Sequence, residues 1–206
     1  MADRAVCRID IEHNAVPSGY STGRGPLTVL LWWLVQDTLF RWSPRPAYGW
    51  RRLLLRLFGA DIAGGVRIRP TARIEFPWRL RIGAHSTVGD DAWLYTLAPI
   101  TLGAHCTVSQ RAFLCTGSHD PDDPHMTLQV APITLGDGVW VAAEVFVAPG
   151  VEIGAETAVG ARSTVLRSLP AGMVCFGSPC EPRRERRLPQ AAQHGADDEP
   201  QIAPDR

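Results

Sequence analysis

The sequence predicts an all-β chain wound into a parallel column of short strands, preceded by helices and interrupted by one loop. Three observations predict it. An aliphatic residue recurs at every sixth place of a frame running from Ile82 to Val165; the second and fifth places of each hexad are mostly small or β-branched; and the frame breaks over residues 120–134. Nineteen glycines and 17 prolines in 206 residues suit a fold made of turns.

The segments follow in order. Residues 1–26 are polar and rich in Gly and Pro, and are expected to be extended. Residues 27–60 are rich in Leu, Trp and Arg, and read as two amphipathic helices turned at Pro44 and Pro46. The first apolar run, Leu27–Phe40, contains Gln36 and Asp37 and is short of the roughly 20 apolar residues that span a bilayer. From Arg24 to Arg56 six arginines face one acid, Asp37, and four tryptophans accompany them. Two readings stand together: the helices cap the end of the main domain and bury their tryptophans, or they lie on an anionic membrane.

Residues 66–180 carry the repeat. IGAHST begins at Ile82, VGDDAW at Val88 and LYTLAP at Leu94; after Ile100 and Thr101 come LGAHCT, VSQRAF and LCTGSH; the frame resumes with LGDGVW at Leu135 and runs through VAAEVF, VAPGVE, IGAETA and VGARST to VLRSLP. A period of six is satisfied by a short strand and a turn, with the first residue inward and the fifth beside it at the corner. Three hexapeptides close one coil, and stacked coils form a β-helix. Residues 188–206, rich in Pro, Gln, Ala and Asp, are expected to be disordered.

Charge and composition exclude several classes. Basic and acidic residues balance at 21 each, which argues against a nucleic-acid partner. There is no lysine, so neither a Schiff-base lysine nor a lysine-dependent phosphate loop exists. The five cysteines are widely spaced with no CxxC pair, and are expected to be free thiols in a cytoplasmic protein. Cys175 and Cys180 are expected near each other at the C-terminal end of the column.

Of the six histidines, His13 and His194 lie in polar termini. His85 and His105 hold the same fourth place of equivalent hexapeptides and should stack on an outer turn. His119 closes LCTGSH, where the column gives way to the loop, and loops on rigid scaffolds commonly carry function. His125, inside the loop, is a weaker candidate.

These residues resemble the hexapeptide-repeat acyltransferases, whose column is a left-handed β-helix. The segments LWWLVQDTLFRWSP, LLLRLFGADI, VGDDAWLYTLAPITLGAH, SQRAFLCTGSHD and VFVAPGVEIG narrow the resemblance to the colanic acid biosynthesis acetyltransferases, over about residues 20–187. The resemblance implies an O-acetyltransferase that moves acetyl from acetyl-CoA to a sugar hydroxyl of an exopolysaccharide, with no metal. It implies a homotrimer, a sugar or lipid-linked saccharide acceptor, and His119 as the catalytic base. Either an aspartate (Asp120, Asp122, Asp123) or a backbone carbonyl would orient its second ring nitrogen. The matching cofactor contacts are Ala143, Ala161, Leu166, Arg167, Pro179 and Arg184. Peripheral membrane contact through residues 27–60 would put the enzyme at the inner face of the membrane. Two other functions keep the fold: a γ-carbonic-anhydrase-like zinc enzyme, a class that uses three histidines across a subunit boundary, here His85, His119 and His125, and a non-catalytic scaffold. Against the first, the His119–His125 spacing departs from that family's shorter pair.

Overall fold

The computed structural model describes residues 16, 17 and 19–188; the tail expected at 188–206 lies outside them beyond Leu188, as do Cys7, His13 and His194. The chain forms a three-faced parallel solenoid. The first face stacks Asp61–Ile62, Leu80–Ile82, Ile100–Leu102, Ile133–Leu135 and Glu152–Ile153. The second stacks Arg67–Ile68, Thr87–Val88, Thr107–Val108, Trp140–Val141, Ala158–Val159 and Met173–Gly177. The third stacks Arg73–Ile74, Trp93–Tyr95, Phe113–Cys115, Phe146–Val147 and Thr164–Val165.

First places of the hexads point inward. Ile82, Val88, Leu94, Leu102, Val108, Leu114, Leu135, Val141, Val147, Ile153, Val159 and Val165 are all buried in one continuous core. The small fifth places fill the corners: Ser86, Ala92, Cys106, Ala112, Thr157 and Ser163 are buried as well. Their polar atoms are satisfied locally, as in Ser86 Oγ donating to Gly103 O at 2.8 Å and Thr157 Oγ1 donating to Pro170 O at 2.6 Å. The fourth places carry the turn. His85, Asp91, His105, Arg111, Glu144, Glu156 and Arg162 all have φ between 55° and 59°. Gly65, φ 71°, holds the same turn in the first coil, and a Cβ there would come within 2.4 Å of His85 Nδ1. The stack of His85 on His105 is present, with centroids 5.3 Å apart and rings tilted 15°.

The solenoid differs from the sequence frame in three places. A full coil precedes Ile82, with Ile62, Ile68 and Ile74 inward, so the column starts at Asp61. Ile62, Ile68 and Ile74 keep the step of six, and the long third corner then makes the step from Ile74 to Ile82 eight. Ile100 and Thr101 are strand residues; the surplus of the larger coils is taken up at the third corner, before them. The last three residues of LCTGSH leave the column. Gly117–His119 pair antiparallel with Leu128–Val130, so Ser118 is exposed, and the chain has rejoined by Ile133, which pairs with Ile100.

At the C-terminal end Met173–Gly177 turns back through a cis Ser178–Pro179 bond into Cys180–Glu185, adding an antiparallel edge strand. At the N-terminal end, α1 (Pro26–Val35) runs into a π-helical turn, Gln36–Phe40, followed by α2 (Tyr48–Leu57). The first coil exposes an edge of backbone groups, and an uncovered edge invites pairing with another chain. Here the helices cover it. Trp32 Nε1 donates to Ile74 O at 2.8 Å, and Ile74 N donates to Gln36 Oε1 at 2.7 Å. Arg51 is fully buried and donates to Ile68 O (2.6 Å), Ser43 Oγ (2.7 Å), Pro44 O (2.9 Å) and Arg45 O (2.5 Å). Arg52 and Arg56 donate to Val66 O and Ile62 O, at 2.8 and 2.9 Å. The helices cap the column, yet of their four tryptophans only Trp32 is buried.

Two tests follow from this packing. Arg51→Leu leaves several buried acceptors unpaired, and should lower unfolding free energy by roughly 3 kcal/mol in urea denaturation. Unchanged stability would mean that the cap does not depend on it. Cys106, Cys115, Cys175 and Cys180 are free and buried; burial raises all four thiols, Cys175 up to about 11. A raised thiol stays protonated until the pH approaches its folded value, so brief iodoacetamide at pH near 8 should leave all four unlabelled in native protein and label them after denaturation. Native labelling of any of them, read by peptide mass spectrometry, would contradict this packing.

Candidate functional site

The hairpin of residues 117–130 emerges at the third corner, between the third and first faces. Thr116 begins it: its Oγ1 donates to Tyr95 O at 2.5 Å and accepts Ala98 N at 2.9 Å. Ala131 N closes it onto Thr116 O at 3.0 Å. His119 ends the outgoing strand and is exposed.

The His119 ring is oriented by a carbonyl. Its Nδ1 faces Met126 O; because a carbonyl only accepts, Nδ1 is the donor, and in the neutral imidazole the lone pair then lies on Nε2. The loop that supplies this carbonyl is organised by Asp123. The Asp123 carboxylate accepts His125 N and Thr127 N, each at 2.9 Å, and Met126 N donates to Asp123 O at 3.0 Å. The Thr127 hydroxyl, then these two amides, hold the carboxylate below its usual range, at about 2. Asp120 accepts Asp122 N at 2.9 Å and so shapes the start of the loop. None of the three aspartates bonds the imidazole; Asp123 acts on it through Met126. His125 lies in this turn, and its backbone N–H rather than its ring is what the loop uses.

Beside the hairpin, a cavity of about 570 Å³ is lined by Tyr20, Arg79, Leu97, Pro99 and Val130. Val130 pairs with Gly117, on the strand that ends in His119. The segment before α1 makes one wall of the cavity. It is tied down by Trp78 Nε1, which donates to Thr22 O at 2.6 Å, and by Arg79, which donates to Leu97 O and Ser21 O.

The remaining candidate residues fall on three edges. Leu166 and Arg167 are exposed at the third corner, two coils beyond the hairpin. Ala143 and Ala161 stack at the second corner, where Arg162 N donates to Ala143 O at 2.9 Å. The C-terminal hairpin brings its tip there too: Gly177 N donates to Ser163 Oγ at 3.1 Å and Ser178 Oγ donates to Thr164 Oγ1 at 2.9 Å, which puts Pro179 at the end of this edge. Arg184 pairs with Val174 at the opposite end of that hairpin, towards the first corner, and is exposed. Between the second and third corners the third face carries outward rings, Trp93 stacked on Phe113 at 4.8 Å and Phe113 edge-on to Phe146 at 5.6 Å. Among the described residues, one column therefore presents two edges carrying candidate residues, flanking an aromatic face with no opposing wall.

Two features escaped the sequence reading. The first is Met126 O, since a backbone carbonyl leaves no mark in a sequence. The second is a charge ladder on the second corner. Glu144 binds Arg162 Nε at 2.6 Å, and Arg111 also. Arg162 first, then Arg111, hold Glu144 below the ordinary carboxylate range. Its signal was available, for all three occupy fourth places of stacked hexapeptides. His85 lies at the first corner and His119 at the third, so one chain does not bring the histidines of a zinc reading together; among the described residues of a single chain no cluster of His, Cys, Asp and Glu has the makings of a metal site.

Comparison with known proteins gives a consistent result. The chain is 52% identical over 177 residues to WcaF of Escherichia coli (strain K12) and of Shigella flexneri, named as a colanic acid biosynthesis acetyltransferase, covering 86% of this chain and 97% of theirs. It is 32% identical over 135 residues to nodulation protein L of Rhizobium meliloti, covering 64% and 73% of the two chains. Among solved structures it is similar to a hexapeptide-repeat acetyltransferase of Vibrio cholerae complexed with acetyl coenzyme A, with TM-score 0.71, 25% identity and coverage of 79% and 88%. A galactoside acetyltransferase in complex with coenzyme A shares the fold, with TM-score 0.72, 23% identity and coverage of 79% and 82%. No family model matches the chain. The fold is that of the left-handed β-helix acyltransferases.

The Asp123 geometry sets a test. A carboxylate whose folded pKa is depressed stabilises the loop fully above its ordinary value of 3.8, and the contribution is lost as pH falls towards about 2. Protection of the His125 and Thr127 amides in hydrogen exchange should thus be flat from neutrality down to mild acid. Asp123→Asn should weaken it at neutral pH; equal exchange rates in the two proteins would show that the loop does not rely on the charge.

Proposed function

The chain belongs to the hexapeptide-repeat acetyltransferases named for colanic acid biosynthesis and is an acyltransferase; from that premise we propose that it moves an acetyl group from acetyl-CoA to a sugar hydroxyl of an exopolysaccharide intermediate. The observation that carries the reading is His119, exposed on a hairpin at the frame break, with Nδ1 engaged by Met126 O and the lone pair of the neutral ring on Nε2.

The chemistry is a balanced acyl transfer. Nε2 accepts the proton of the acceptor hydroxyl as its oxygen attacks the thioester carbonyl carbon. The tetrahedral intermediate then collapses with loss of the coenzyme A sulfur, and the proton on Nε2 passes to that leaving thiolate. Met126 O keeps the ring in the accepting tautomer and stabilises the imidazolium that forms. No lysine is present to replace it as base.

The donor would run along the column, with Ala143, Ala161 and Pro179 on one edge and Leu166 and Arg167 on the other. The two alanines offer only methyl groups, so a pantetheine chain can approach the turn backbone closely. Arg184 carries the planar donors that suit a phosphate, and its place beyond the far end of the hairpin makes it the most distant contact of the set. The acceptor, free or lipid-linked, would enter by the cavity at Tyr20 and Arg79. The aromatic third face lacks an opposing wall, and a homotrimer supplies one: around a threefold axis each copy would close the open face of its neighbour. The buried free cysteines suit a cytoplasmic setting, and membrane contact through residues 27–60 would put the enzyme at the membrane's inner face.

Two measurements test this. Light scattering should give three times the 22.5 kDa of one chain; a monomer mass would remove the shared groove. His119→Ala should lower thiol release from acetyl-CoA in the presence of acceptor by about a hundred- to ten-thousand-fold, with acetyl-CoA binding by calorimetry and thermal unfolding unchanged. A variant that keeps more than about a tenth of the wild-type rate would shift the base role elsewhere.

A further inference from the structure

The helical cap has a face that nothing in the chain covers. On α1 the core side is Val29, 7% exposed, and Trp32, 0%. The other side presents Leu27 (81%), Leu30 (61%), Leu31 (52%) and Leu34 (60%), spaced i, i+3, i+4, i+7 along one helical face. No charged residue interrupts the helix. The apolar surface continues past its end, where Leu39 (52%), Trp42 (82%) and Trp50 (41%) line a shallow depression of about 370 Å³ with Ala47 and Pro44. Contiguous apolar patches of this kind are uncommon on soluble surfaces and mark a docking site.

The charges say what docks. Between residues 16 and 60 the acid is Asp37 alone. Of the six arginines in this stretch, Arg51, Arg52 and Arg56 donate to backbone carbonyls in the cap. Arg24, Arg41 and Arg45 are exposed at the two ends of the leucine face. The result is a leucine and tryptophan surface with three exposed cations, Arg24, Arg41 and Arg45, against one exposed acid, Asp37. A second copy docked on it by a twofold axis would set arginine against arginine. An anionic bilayer offers an apolar layer under negative headgroups, and a tryptophan with one apolar and one polar end suits that boundary. No helix among the described residues is long and apolar enough to cross a membrane, so the contact lies in the surface plane.

We infer that this chain docks on an anionic lipid surface through the Leu27–Leu30–Leu31–Leu34 face and Trp42, with Arg24, Arg41 and Arg45 meeting the headgroups. The inference rests on and sharpens the membrane contact proposed above; that contact shares no residue with the transfer site, so the acetyl-transfer reading and this one can fail separately.

The test uses the full chain and vesicles of phosphatidylcholine, with and without phosphatidylglycerol. Co-sedimentation should be roughly tenfold or more stronger with the anionic vesicles and should fall with added salt. The double variant Leu30→Glu, Leu34→Glu should lose binding to both, while keeping the wild-type melting temperature, since neither side chain is packed. Arg41→Gln with Arg45→Gln should remove most of the salt dependence and leave transfer to a soluble acceptor unchanged. Three results would overturn the inference: no sedimentation of the wild type with anionic vesicles, undiminished binding by the leucine variant, or a fall in solution mass of that variant, which would make the face a contact between copies.

Discussion

Coil-on-coil hydrogen bonding is the constraint from which the rest of this molecule follows. Thr87 N donates to Cys106 O at 2.8 Å, Thr107 N to Val139 O at 2.9 Å, and Trp140 N to Thr157 O at 2.9 Å, so each coil is the template for the next. Up to Val165 the strands of the column are two or three residues long. A slip of one residue would turn Val88 and Val108 outward and bury Thr87 and Thr107. The aliphatic row holds the hydrogen bonds in register, and the hydrogen bonds keep the row continuous. Neither works alone in strands this short.

A solenoid built this way must be ended, and the two ends are ended differently. The C-terminal end folds its last strand back on itself, Met173–Gly177 against Cys180–Glu185. The N-terminal end uses side chains. Arginines 51, 52 and 56 reach from α2 to carbonyls of the first coil, and Trp32 and Gln36 reach from α1 and the π-helical turn. Burying a guanidinium is costly unless its donors are all met; Arg51 meets four acceptors. The same demand explains why the helices lean one face on the column and leave the other bare: the cap needs polar reach at its inner side, and the column has no second surface to cover the outer leucines.

The candidate site uses the hairpin at which the chain leaves the register of the column. Thr116 ends the templated coil, and the hairpin beyond it is free to carry a side chain away from the column without disturbing the core. Rigidity is then restored within the loop by Asp123, whose carboxylate fixes the backbone that presents Met126 O to His119. The imidazole is positioned by backbone, and the backbone by a carboxylate two bonds removed in the network. That arrangement keeps an ionised acid out of direct contact with the imidazole while still letting charge order the loop.

The sequence by itself determined the column. Its period, the inward first places from Ile82 to Val165, the small corner residues, the His85–His105 stack and the frame break at His119 all arise from local spacing, because each hexapeptide meets the same surroundings as the one before. It also carried the family, through segments that the 52% identity to WcaF bears out. The first coil was legible too, since Ile62, Ile68 and Ile74 keep the step of six; a frame begun at Ile82 misses it because the step from Ile74 to Ile82 is eight at the enlarged corner. Tertiary structure alone decided which carbonyl orients His119, that Arg51 lies buried while Trp42 does not, and that Ala143, Ala161 and Pro179 share an edge separate from Leu166 and Arg167. Those outcomes depend on which corner of the coil a residue reaches and on which groups an open end leaves unpaired. Both are properties of the wound chain, and a hexapeptide read on its own contains neither.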